Sequence, residues 1–134
     1  MKRLLGVCLV LAMALLLFGA LSFAATAPAH KAHAAAAAAG AKTVTGEIID
    51  LSCYLGNGAK GSAHKGCAAT CIANGGPMGL LTSKGTLYVL TMNHDKADAF
   101  AEAKKHAGDQ VKVTGPVMVK NATRALEVNG VEAM

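Results

Sequence analysis

Residues 43–50, Thr-Val-Thr-Gly-Glu-Ile-Ile-Asp, alternate in polarity and are rich in β-branched side chains, which predicts a strand. Two further runs, Gly79–Thr82 and Thr86–Thr91, flank Ser83-Lys84-Gly85, so a hairpin with a short glycine-containing turn is expected there. Residues 95–106 change to a helical period, with Ala97, Phe100, Ala101 and Ala103 around its faces and Gly108 just beyond its end. Gln110–Gly115 alternates again and continues as Val117–Val119 past a break at Gly115-Pro116. A last strand, Ala125–Val128, runs toward Val131. Between the first strand and the hairpin, residues 51–77 carry six glycines and three cysteines. Within them, residues 64–74 have the length and the stop signal, Asn74-Gly75-Gly76-Pro77, of a short helix.

Five strands with one helix before the fourth, and a Cys-rich helical insert after the first, predict a mainly β domain. The arrangement fits a small Greek-key barrel of the oligonucleotide/oligosaccharide-binding (OB) type, with an open α+β sheet as the alternative. No internal repeat is present.

The N-terminus follows a different pattern. Lys2 and Arg3 precede an apolar run from Leu4 to Leu17, and small residues follow through Ala24. These are the three parts of a secretion signal, and Ser22 and Ala24 suit cleavage before Ala25. The apolar run is shorter than the ~20 residues a spanning helix needs, so no stable membrane insertion is expected after cleavage. Cys8 falls inside this run as one of its apolar residues. Residues 25–41 are mostly alanine, with His30 and His33 among them. They have nothing large to bury and read as a linker whose histidines are solvated. The expected organisation is therefore a signal over 1–24, a linker over 25–41 and one domain over 42–134, working in the periplasm or as a secreted protein.

Removing the signal and linker also removes three of the 13 basic residues. Ten bases then face eight acids, a balance that points to no nucleic-acid partner. Tyr54, Tyr88 and Phe100 are too few to build a stacking platform for single strands. No Ser-His-Asp order, phosphate-cradling loop or carboxylate pair marks an enzyme.

The chemically specific feature is the spacing C-x10-H-x2-C-x3-C formed by Cys53, His64, Cys67 and Cys71. On a helix, His64, Cys67 and Cys71 share one face, and Cys53 can fold back over it. Three thiols and an imidazole suit zinc, and soft thiolates also suit Cu(I) or an iron–sulfur cluster. Two other chemistries use the same cysteines: a structural disulfide that leaves one thiol over, and thiol redox exchange. In the first case the protein would be a module for an unknown small ligand or protein. His94 reads as a loop residue, His106 as the favourable end of a helix dipole, and Met78, Met92 and Met118 as core filling.

Several of these motifs together resemble a group of small exported bacterial proteins with an OB-like barrel domain and a Cys/His-containing insert. They are Val44–Asp50, Cys53-Tyr54, His64–Cys71, Gly79-Leu80-Leu81 and Gly108–Gly115. The resemblance spans most of residues 43–130. It implies a barrel-like fold and an extracytoplasmic compartment and carries no activity with it.

Overall fold

The computed structural model describes residues 40–134. The expected secretion signal, most of the expected linker, Cys8, His30 and His33 lie outside the described residues. The first strand, β1, spans Lys42–Asp50. Two helices follow, α1 (Leu51–Asn57) and α2 (Lys65–Ala73), with a 3-10 turn at Ser62–His64 between them. Strands β2 (Met78–Leu81) and β3 (Leu87–Met92) form the expected hairpin. A 3-10 turn at His94–Lys96 leads into α3 (Ala97–Lys105), and β4 (Gln110–Gly115), β5 (Val117–Lys120), β6 (Thr123–Val128) and β7 (Gly130–Ala133) complete the order.

The strands form one seven-stranded sheet in the order β5-β6-β3-β2-β1-β4-β7. All neighbours are antiparallel except β3 and β6. The sheet is not closed into a barrel, and the expected five strands become seven for a local reason. Pro116 has no N–H to donate, so the run that reads as one strand breaks there. Its first half, β4, pairs with β1 and β7, while its second half, β5, pairs with β6 at the other end of the sheet. The last strand divides in the same way at Asn129. The Glu127 N–H donates to Pro116 O, and the Asn129 N–H donates to Thr114 O, at 3.1 and 2.8 Å. These bonds hold the β4–β5 bend against the end of β6, so the sheet is coiled although no continuous ladder joins its ends. Only glycine fits at the bend, since a Cβ on Gly115 would lie 1.7 Å from Glu127 O.

The second half of β1 is buried on both faces, and this positions the cysteine-bearing helices. Ile48 belongs to the main core with Leu80, Val111 and Leu126, and that core is covered by Ala68 and Ile72 of α2 and Ala103 of α3. Ile49 points the other way, into a smaller cluster with Leu51 and Leu81 against which Tyr54 of α1 packs. The period-2 alternation of a strand thus brings α1 and α2 to opposite faces of one strand end. Full burial of Ile72 stabilises this arrangement by about 1.5–3 kcal/mol.

Candidate metal centre

The centre starts from Asp50, the last residue of β1 and the N-cap of α1. Its carboxylate accepts from the backbone N–H groups of Ser52 and Cys53, both at 3.2 Å. That satisfies two donors a helix start leaves open and sets Cys53 in the first turn. At its other end α1 stops at Gly58, whose φ of 75° is left-handed and whose N–H donates to Tyr54 O. The glycine- and cysteine-bearing stretch after β1 therefore opens with a helix that the sequence analysis does not predict. Asp50 and Gly58 are the sequence signals for it.

Cys67 and Cys71 lie one turn apart on α2. Ala68 and Ile72 repeat that spacing one residue on, rotated about 100° around the helix axis, and are buried in the core. Burying that stripe aims the adjacent thiol stripe toward α1. The end of α2 is locked by the Gly76 N–H, which donates to Cys71 O at 2.8 Å, and the Leu51 N–H donates to Pro77 O at 3.0 Å. A Cβ on Gly76 would meet Cys71 O at 2.7 Å, so the backbone under Cys71 requires glycine there.

The sulfurs of Cys53, Cys67 and Cys71 all lie within 4.8 Å of one another. Three sulfurs of a tetrahedron with bonds of about 2.3 Å to a central ion stand about 3.8 Å apart, so modest side-chain movement closes them on an ion. All three cysteines are free thiols. The structural disulfide considered from the sequence is thus absent among the described residues. Cys67 is exposed, and Cys53 and Cys71 are half-buried.

His64 is placed differently from the single-face arrangement expected. It is the residue before α2, not a member of it, and it closes the 3-10 turn. A ring nitrogen of His64 falls in a second group with Asp50 and Cys53, again with all ligand atoms within 4.8 Å. The structure therefore brings the four expected residues together as two triples that share Cys53. Asp50 joins them as a residue the sequence reading passed over. The His64 Nε2 is enclosed and has no hydrogen-bond partner. An orphaned buried nitrogen carries a desolvation cost that a bound ion would offset.

The charges are crowded. A hydrogen bond with Asp50 pushes the Cys53 thiol up to about 12, and burial and the nearby Cys67 and Cys71 act in the same direction. The same bond, seconded by the Ser52 and Cys53 N–H groups, holds the Asp50 carboxyl below its ordinary value against the effect of its burial. Cys71 is raised by burial, then by its contact with Cys67 and by Asp50. A thiol kept protonated in this way is a weak nucleophile and a weak ligand until something favours its thiolate. A cation reverses the situation, because it favours the thiolates that its absence penalises.

The remaining candidates take structural places. His106 caps the end of α3, with Nε2 3.6 Å from Glu102 Oε1. His94 opens the second 3-10 turn, where the Asn93 side chain accepts from the Asp95 N–H. Met78 is buried in the core, whereas Met92, expected as core filling, is 39 % exposed because β3 ends there. Searches for related proteins add no assignment to this geometry: no family model, curated protein or solved structure matches the chain.

Proposed function

We propose that the chain is an exported domain that binds a thiophilic metal ion, zinc or copper, in a structural or carrier role. Cys53, Cys67 and Cys71 supply the thiolates, and His64 closes the set at one ion per chain. The observation that carries this reading is the convergence of three free sulfurs from two separate helices within 4.8 Å. The orphaned His64 Nε2 supports its part. The exposed edge at Cys67 leaves the ion within reach of solvent or of a partner's thiols, which favours exchange over permanent burial.

Export rests on the N-terminal pattern of Lys2-Arg3, apolar run and small residues. Kinship with the small exported proteins rests on the sequence motifs alone, among them Val44–Asp50, His64–Cys71 and Gly108–Gly115.

The test is a titration of reduced, metal-free protein with Zn²⁺ and with Cu(I), followed by native mass spectrometry. Stoichiometric uptake that is lost in the Cys53→Ser, Cys67→Ser and Cys71→Ser variants is expected. An intact wild type that takes up neither ion would remove the reading. Intact mass of protein from the periplasm tests export by showing whether the chain begins at Ala25.

A cleft of about 440 Å³ favours a second reading, a small-ligand module. Buried Glu47 lines it together with half-buried Tyr54 and exposed Lys60 and Gln110, with the Gly61 N–H held on the Glu47 carboxylate. Ligand binding that persists in metal-free protein and is lost in Glu47→Gln would place the activity there.

A further inference from the structure

Two groups of ligand atoms meet at Cys53, and one ion does not account for both. The outer group is Cys53, Cys67 and Cys71; the inner group is Asp50, Cys53 and His64. We infer that at saturation the protein holds a pair of divalent ions bridged by the Cys53 thiolate, the outer one on Cys67 and Cys71 and the inner one on Asp50 and His64. This deepens the metal-binding reading and rests on it.

Geometry allows both positions. An ion at the centre of a triangle with edges under 4.8 Å lies at most about 2.8 Å from each corner, and shifts of up to about 0.5 Å for a sulfur and about 0.8 Å for a nitrogen or oxygen bring it to bonding distance. A thiolate sulfur has lone pairs for two metals. Asp50 is not used up by capping, for each oxygen keeps a second lone pair beside its 3.2 Å bond to a backbone N–H. The His64 Nε2 is already stripped of water and unpartnered. Asp50 is 1 % exposed, so its charge gains little from solvent.

Charge then selects the stoichiometry and the ion. With thiolates at all three cysteines and a carboxylate at Asp50, one dication leaves two negative charges uncompensated in a half-buried site. A second dication neutralises them, whereas two monovalent copper ions would not. Zinc is therefore the better cargo of the pair site. When the inner ion enters, His64 serves it, and water reaching the exposed Cys67 side completes the outer ion.

The test compares the reduced, metal-free full chain with its Asp50→Asn and His64→Ala variants. Asparagine caps a helix about as well as aspartate, so Asp50→Asn keeps the start of α1 intact. Native mass spectrometry with excess Zn²⁺ should show two ions on the wild type and one on each variant. Titration with Co²⁺ adds a readout that a loose surface ion would not move. In the wild type the second equivalent should quench the paramagnetic signal of the first, because a shared thiolate couples the two ions. Saturation of the wild type at one ion overturns this inference and leaves the metal-binding reading standing. A second ion retained by Asp50→Asn, or a cobalt signal that simply doubles, places that ion elsewhere and also overturns it. No uptake at all removes both.

Discussion

Helices α2 and α3 are each nine residues long and cover the same core, yet they spend their outer surfaces differently. Helix α3, Ala-Asp-Ala-Phe-Ala-Glu-Ala-Lys-Lys, buries Ala103, packs Phe100 at the core edge and turns charge outward. Asp98 sits in its first turn, Lys104 and Lys105 in its last, and Lys105 pairs with Glu102 at 2.6 Å. That is the distribution the helix dipole and solvation favour. Helix α2 buries Ala68 and Ile72, but beside that stripe it carries Cys67 and Cys71, and it has no acidic residue in its first turn and no basic residue in its last. A helix whose ends carry no charge that its dipole favours, and whose flank carries two thiols, depends on its core stripe for stability. The thiol stripe is then available for chemistry.

Substitutions on the two stripes separate these roles. Ile72→Ala should cost about 2–5 kcal/mol of stability in urea unfolding, because it opens a cavity under α2. Zinc stoichiometry at saturation should stay unchanged, and a loss of binding with the fold intact would show that the stripes are not independent. Cys53→Ser, the change shared by both ligand groups, should weaken zinc binding at least about a hundredfold in a competition assay with a chromophoric chelator. The melting temperature of the metal-free protein should hardly move.

Asp50→Ala removes the α1 cap and should lower metal-free stability by about 1 kcal/mol. The same carboxylate predicts a pH dependence. Its pKa in the fold lies below the ordinary value of 3.8, so the stability it contributes is fully present above that value. It is lost as the pH falls through the folded value. Thermal melts of metal-free protein from about pH 6 down to about pH 3 should therefore fall more steeply for the wild type than for Asp50→Asn. The smallest effect belongs to α3. The Lys105 ammonium holds Glu102 below its usual range, but the pair is solvent-screened. Glu102→Gln should leave both melting temperature and zinc uptake within error of the wild type.

Much of the fold was legible because it is local. The alternation in Thr43–Asp50 and Gln110–Gly115, the turn at Ser83-Lys84-Gly85 and the helical period after Asp95 each depend on neighbours a few residues away. All appear where the pattern puts them. The short helix α1 was missed, although its Asp50 cap and Gly58 stop are both visible in the sequence. The strand count was not legible in the same way. Whether Val117–Lys120 continues β4 or crosses to β6 depends on which partners offer free N–H and C=O groups. Only the approach of Glu127 and Asn129 to the Gly115-Pro116 bend decides that.

The site divides along the same line. The sequence by itself determined which donors exist, three thiols and an imidazole within nineteen residues, and that Cys67 and Cys71 must lie one helical turn apart. The tertiary structure decided where they meet. By burying Ile48 on one side and Ile49 on the other, β1 delivers α1 and α2 to a common end. There Cys53 joins the α2 sulfurs, and His64 turns aside to Asp50. Ligand identity is a property of single residues, whereas convergence is set by packing between segments far apart in the chain.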